Sequence, residues 1–404
     1  MYDLSPFELV ASHYVINPTF MSNKQSLKGS KPKELVGIQH LRGIAAVMVV
    51  FVHIDGMARF PKYFNASLFP GWLDWGSIGV HLFFVISGFI IPYVSLRQDS
   101  LQPEMSAATF LRRRFIRIVP FMWVCIVGYA MLRLLGRGTF PVIPYLTAMT
   151  LFPVGEVNPE QVWTLRHEFL FYTIYCGAIL YSLKKRWFVM AFWFVTPFIW
   201  YGVTATMTDL PSESFLYLLC GFLFSKFNIF FGIGFLVGVI HLKGYRWTFV
   251  SRHGFLISLL SALPLIVAAQ TVGLDVKFIG FGPVILLAVL GAFSLFIGIS
   301  LETPKPLTVL DKIGLKLGEA SYSIYLTHTA FVSAILGIWS KLLPSSHLVL
   351  IVAAGSIMAC IGGILVHMFV EKPVIAFAQK ILGPKTKTIQ PEHEPEATEG
   401  RKVA

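Results

Sequence analysis

Residues 36–57 read VGIQHLRGIAAVMVVFVHIDGM. From Gly43 to Val52 the run is apolar without interruption, and Arg42 and His53 bracket it. A helix needs about 20 mostly apolar residues to cross a bilayer core of ~30 Å, and this stretch meets that need. Arg42 and His53 are eleven residues apart. That is about 20° past three full helical turns, so the two side chains share one face. At 1.5 Å per residue they stand ~16 Å apart along the axis, about half the hydrocarbon thickness.

Nine further stretches read the same way: 77–97, 113–135, 163–183, 186–206, 213–241, 254–272, 278–300, 320–343 and 347–371. The expected fold is an all-α integral membrane protein of about ten transmembrane helices. The stretch 213–241 is long and holds Lys226 and Asn228 near its middle, so it also reads as two short or broken helices. Residues 138–157 carry Pro141, Pro144 and Pro153 among aromatics. They are too interrupted to span and read as an external loop or lid in the interface. Composition agrees: 55% of the 404 residues are hydrophobic and only 13% charged, against about 25% charged in soluble domains. A water-soluble globule is excluded, as are collagenous, disordered and disulfide-framework classes.

The net charge of +12 would suggest nucleic acid in a soluble protein. Sorted by alternate segments, however, 25 of the 33 Lys and Arg residues fall on the side of the N-terminus. The opposite loops hold Arg59, Lys62, Arg137, Lys277 and Lys341, and Arg133, Arg166 and Lys226 fall in or at the ends of spans. This is the positive-inside pattern, and it predicts both termini to be cytoplasmic. No nucleic-acid partner is expected; the partner is the lipid bilayer. Residues 1–34 are expected to be a cytoplasmic segment, 35–377 the transmembrane domain, and 378–404 a cytoplasmic tail, rich in Glu and Pro and disordered. Residues 1–33 lack the basic start, apolar run and cleavage site of a signal peptide. Cys125, Cys176, Cys220 and Cys360 are well separated within spans, so neither a disulfide nor a metal site is expected. No internal repeat and no appended soluble domain is visible.

A charged group at the bilayer centre costs roughly 2.5–3.5 kcal/mol on insertion scales and marks a functional site by default. Few candidates exist here. Arg42 reads as a cytoplasmic anchor or as part of a site, and His53 as a packing group or a base. Arg114 and Arg117 are i,i+3 neighbours on one helix face, and Arg117 already lies among apolar residues; the guanidinium fork suits phosphate. Arg166-His167-Glu168 opens the fourth span, where Glu168 could tune a histidine or pair with Arg166. His81 begins the second span, with packing and catalysis both open. Ser321 to His328 places Tyr322 and a second histidine on the ninth span. His367 and Glu371 end the tenth and read as a structural helix end.

Together these residues resemble a known family. The motifs are Arg42-x10-His53, Gly79-Val80-His81-Leu82-Phe83-Phe84, Arg112-Arg113-Arg114-Phe115-Ile116-Arg117, Trp163-x4-Glu168 and Ser321-Tyr322-Ser323-Ile324-Tyr325-Leu326-x-His328. Their order and sides are those of the membrane-bound acyltransferase 3 family, over roughly residues 35–377. The resemblance implies transfer of an acyl group, usually acetyl from acetyl-coenzyme A, to a sugar hydroxyl of a polysaccharide, lipid-linked oligosaccharide or glycolipid. It implies acyl-coenzyme A as co-substrate, no permanently bound cofactor and no metal, in a bacterial inner membrane. Catalytic roles fall on His53, Glu168 and His328, and donor-phosphate binding on Arg42, Arg114 and Arg117. His81, Arg166 and Tyr322 are supporting residues. His53 would act as general base or acyl-accepting nucleophile, with Glu168 orienting it or stabilising its imidazolium. Two departures stand out: His81 replaces an Asp of many relatives, and the C-terminal SGNH-type domain that some relatives carry is missing, so transfer is expected to proceed unaided or with a separate partner. The competing class is a secondary transporter or flippase for a lipid-linked sugar or polar metabolite, since proton relays use the same residue types. A scaffold role leaves the buried ionisable groups unexplained. The aromatic external residues Phe60, Tyr63, Phe64, Phe69, Trp72 and Trp75 read either as sugar-stacking platforms or as an interfacial belt.

Overall fold

The computed structural model describes residues 35–66, 73–98, 100–137, 141–181, 183–206, 214–245, 247–272, 280–343 and 347–383. The N-terminal segment, most of the tail, Lys277, Phe69 and Trp72 lie outside them.

The chain is almost entirely helical: α1 (Val36–Ala58), α2 (Ile78–Ser95), α3 (Ala107–Arg137), α4 (Val142–Thr150), α5 (Val162–Ile179), α6 (Leu183–Thr206), α7 (Phe215–Leu223), α8 (Phe227–Leu242), α9 (Gly254–Val272), α10 (Phe281–Ser300), α11 (Val309–Glu319), α12 (Ser321–Leu342), α13 (Leu348–Val366) and α14 (Lys372–Leu382). A two-residue parallel pair, β1 (Phe249–Val250) with β2 (Leu301–Glu302), is the only sheet among the described residues. Among the described residues, nine stretches are long and apolar enough to cross a membrane, so the protein is a multi-pass membrane protein. The tenth expected span is α5. It spans 18 residues, but Arg166-His167-Glu168 in its first turns keeps it below the apolarity of the others. Large apolar side chains such as Leu132, Phe188, Ile199, Leu260 and Phe369 are exposed, as a lipid-facing surface requires.

Helix α1 lies at the centre and packs against α2, α9, α10, α11, α12 and α13, and most of its length is buried. Between α2 and α8 the backbones approach so closely that a Cβ at Gly88 would meet the Phe231 carbonyl, and one at Gly234 the Val85 carbonyl. Small residues are what let membrane helices close to such a distance.

The sixth span is broken, as its polar middle suggested. Helices α7 and α8 are separated by Phe224–Lys226. There Asn228 donates through Nδ2 to the Leu223 carbonyl at 2.9 Å, and Ser225 Oγ accepts from the Phe227 amide at 3.3 Å. These bonds satisfy backbone that the gap frees. The segment 138–157, expected to be an external loop or lid, holds a nine-residue helix, α4. Its prolines permit this, because Pro141 is the N-cap and Pro144 sits in the first turn, where no amide donor is needed. Trp123 Nε1 donates to the Met149 carbonyl at 2.9 Å and ties α4 to α3. Two departures concern the N-terminal side of the membrane. The basic segment 305–316 contains α11, with a capping box between Thr308 and Asp311. The last span continues past the expected end at 371 through a π-helical turn, His367–Glu371, into α14. Pro373 has no N–H to return to the preceding turn, and the widened turn accommodates it.

Candidate active site

Two cavities meet inside the helical bundle. The smaller, about 220 Å³, is lined by Arg42, Arg114, Arg117, Glu168, Tyr172 and Tyr322 together with apolar side chains of α2. The larger, about 1760 Å³, holds His53, His81 and His328. Among the described residues, only Val80 and Tyr325 line both. Helix α1 runs past both cavities, so Arg42 and His53, on one face and ~16 Å apart, face different chambers.

In the larger chamber α1 and α12 bring two histidines together. The ring centroids of His53 and His328 are 4.6 Å apart and edge-to-face. His53 Nδ1 lies 2.8 Å from the Val49 carbonyl, and His328 Nδ1 lies 2.6 Å from the Tyr325 carbonyl. A carbonyl only accepts, so each Nδ1 carries a proton, and in the neutral form of each ring Nε2 is the basic nitrogen. His328 is fully buried, and its Nε2 has no hydrogen-bond partner. The turn that carries it is held from outside. Tyr129 Oη and Gln161 Nε2 both donate to the Leu326 carbonyl, at 3.2 and 2.7 Å. Gln161 also reaches Thr329 Oγ1 at 3.2 Å. The chamber wall carries Phe60, Trp163, Trp200 and Tyr201 and the cations Lys62, Arg133 and Lys226.

In the smaller cavity three guanidinium groups converge. Arg42 Nη1 donates to Gln39 Oε1 at 3.1 Å. Arg114 lies over the rings of Phe110 and Tyr172, at 5.4 and 5.6 Å from their centroids. Arg117 lies 5.8 Å over Tyr322, whose hydroxyl donates to the Ile118 carbonyl at 2.9 Å. Glu168 accepts from Ser87 Oγ at 3.1 Å and from the Tyr172 hydroxyl. It is therefore not the group that orients His53; the Val49 carbonyl is. The reason is depth: Glu168 lies seven residues beyond Gln161 on α5, ~10 Å at helical rise, which carries it past Tyr325 into the arginine cavity.

Two supporting candidates have partners outside the histidine pair. Arg166 donates to the Gly155 carbonyl at 2.9 Å and anchors the external segment instead of pairing with Glu168. His81 hangs from the Ser77 carbonyl at 3.3 Å and packs its ring on Phe230 and Phe227, at 4.8 and 5.5 Å.

One residue carries more of the site than its position at a helix end suggested. Glu371 is fully buried. Its Oε1 accepts from Arg117 Nη1 at 2.5 Å. Its Oε2 accepts from Ser323 Oγ at 2.6 Å and from His367 Nδ1 at 2.7 Å. The carboxylate thus fixes one face of Arg117 and leaves the other to the cavity. The signal in the sequence was a carboxylate closing an apolar run at the depth of Arg117. Replacing Glu371 by alanine strands three donors. A hydrogen bond to a charged group contributes about 1.5–3 kcal/mol, and Arg117 keeps some access to water, so the lower end of that range is expected. A clear fall in Tm of the detergent-solubilised protein checks it, and an unchanged Tm contradicts it.

A sequence profile described as an acyltransferase domain matches residues 35–368. The chain is similar to the exopolysaccharide production protein ExoZ of Rhizobium meliloti, at 28% identity over 312 residues, covering 74% of this chain and 90% of that one. It is also similar to a Staphylococcus aureus protein provisionally named an O-acetyltransferase, at 24% identity over 339 residues, 76% of this chain and 52% of that one. A shorter match, 33% over 95 residues, links 24% of this chain to 13% of the peptidoglycan O-acetyltransferase OatA of Listeria monocytogenes. No solved structure matches the chain.

Proposed function

The chain belongs to the acyltransferase family whose profile covers residues 35–368, and from that premise we propose that it is an O-acyltransferase working across a membrane. The donor is acyl-coenzyme A, acetyl in the simplest case, entering from the cytoplasmic side. The acceptor is a hydroxyl of a sugar in a surface polysaccharide or glycolipid, as the names of the relatives suggest. Both termini are cytoplasmic and the membrane is the bacterial inner membrane. One observation carries the reading. A narrow basic cavity meets a wide aromatic chamber at Val80 and Tyr325, with two imidazoles on the chamber side.

Arg114, Arg117 and Arg42 hold the coenzyme A phosphates by charge-assisted hydrogen bonds. Glu168 sits among the three arginines and moderates their mutual repulsion when no donor is bound. The pantetheine arm follows the small cavity and brings the thioester to the histidine pair. In direct transfer, His53 Nε2 takes the proton of the sugar hydroxyl. The sugar oxygen then bonds to the thioester carbon, the C–S bond breaks, and the departing thiolate takes the proton from the imidazolium. In the two-step route Nε2 attacks the thioester carbon, the C–S bond breaks and coenzyme A leaves as its thiolate; the sugar oxygen then bonds to the acyl carbon, the bond from that carbon to Nε2 breaks, and the hydroxyl proton passes to the thiolate. His328, in contact with His53, stabilises the positive charge that forms there in both routes.

Incubation of the purified protein with acetyl-coenzyme A labelled in the acetyl carbon, in native membrane extract, tests the proposal. Acceptor-dependent release of free coenzyme A, with label moving to carbohydrate, is expected. Label trapped on His53 after a rapid quench identifies the two-step route. Solute accumulation in vesicles with no thioester cleavage would overturn acyl transfer in favour of transport.

A further inference from the structure

Val80 and Tyr325 are the only described residues that line both cavities, so they mark where the arginine side and the histidine side adjoin. The Tyr325 side chain is buried at this point. Its hydroxyl accepts from Thr164 Oγ1 at 2.9 Å and donates to the Gln161 carbonyl at 3.2 Å. Its ring lies 5.9 Å from that of Phe83, edge-to-face. The carbonyl of the same residue holds His328 Nδ1. Rotation about the side-chain torsions would release the hydroxyl and leave the carbonyl, and with it His328, in place.

Resting on the acyl-transfer reading above, we infer that Tyr325, closed against Val80 and Phe83 and latched by Thr164, forms the aperture through which the acyl group reaches the histidine pair. The aperture sets the largest acyl chain accepted. The latch keeps chamber water from the thioester until the acyl group occupies the opening. A thioester exposed to the wet chamber would lose its acyl group to water: the C–S bond would break, a C–O bond to water would form, and free acid and thiol would leave. Val80 is the natural gauge of chain length, because it is the smaller of the two side chains and comes from a different helix. Pockets of this kind discriminate one methylene by about 10–200-fold.

The test uses the full chain in native membrane vesicles, with acetyl-, propionyl-, butyryl- and hexanoyl-coenzyme A labelled in the acyl group. Val80→Ala is expected to raise the ratio of butyryl to acetyl transfer by about tenfold, and Val80→Phe to lower it. Tyr325→Phe keeps the ring and loses both hydrogen bonds of its hydroxyl, and Thr164→Val keeps the volume and loses the bond from Thr164. They are expected to raise acceptor-independent hydrolysis relative to transfer by about tenfold, with the transferred chain lengths little changed. Ratios read only active protein, so partial misfolding does not mimic the result. If wild type transfers acyl groups while the variants keep its chain-length profile and hydrolysis ratio, the aperture is overturned and acyl transfer stands. If wild type cleaves no acyl-coenzyme A of any length, acyl transfer itself fails and the aperture falls with it.

Discussion

Replacing His53 by alanine is expected to lower acyl transfer by about 100- to 10,000-fold, the usual contribution of a positioned general base. The structure gives this position its weight. Val49 holds Nδ1–H at 2.8 Å, so the ring offers only Nε2 to the chamber. Alanine removes that atom without stranding a buried partner other than one helical carbonyl. Stability should therefore change little, and the Tm of the purified variant separates lost chemistry from lost fold. His53→Gln retains a polar side chain but no base of suitable pKa, and should be as inactive as alanine. Label transfer from acetyl-coenzyme A to carbohydrate at the wild-type rate in either variant would remove His53 from the reaction. His328→Ala should fall by a smaller factor, because the second ring supports the first.

Arg117→Ala is expected to weaken the donor by about 10- to 100-fold, as the loss of one charge-assisted hydrogen bond implies. The loss should appear in KM for acyl-coenzyme A and leave KM for the acceptor within about twofold, since the arginine cavity and the chamber share only Val80 and Tyr325. Arg117→Lys should recover only part of the loss, because a lysine cannot present a planar fork both to Glu371 and to a phosphate. Dephospho-coenzyme A thioesters, which lack the 3′-phosphate, provide a second readout. If Arg117 docks that phosphate, wild type loses affinity for them and Arg117→Ala does not lose it twice. An unchanged donor KM in the alanine variant would contradict phosphate docking at this position.

Much of the site was legible in the chain because membranes make ionisable residues conspicuous. Arg42, His53, Arg114, Arg117, Glu168 and His328 stood out by cost alone, and each lines one of the two cavities. Lys226 and Asn228 in the sixth span correctly marked a break between helices. Partners were harder to read. Glu168 looked like the companion of His53, yet it lies on the arginine side with Ser87 and Tyr172. Arg166 looked like the companion of Glu168 and instead holds the Gly155 carbonyl. Glu371 looked like the end of a helix and proved to be the buried partner of Arg117 across more than 250 residues of sequence.

What the chain determined alone was composition, depth and face. Apolar runs of sufficient length must become helices in lipid, because every backbone amide needs an internal partner there. The rise of 1.5 Å and the turn of 100° per residue then place Arg42 and His53 on one face at two depths. Only the tertiary structure decided what each face meets. Rise and turn are properties of one helix, whereas the pairings of His53 with His328 and Arg117 with Glu371 depend on which helices pack together. Close contacts between helices, such as Gly43 against Gly314 and Gly363 against Ile324, belong to that packing, and no local pattern names their partners. The division of the interior into two cavities at Val80 and Tyr325 belongs to the same level: three helices, α2, α5 and α12, contribute to it, and none of them shows it by itself.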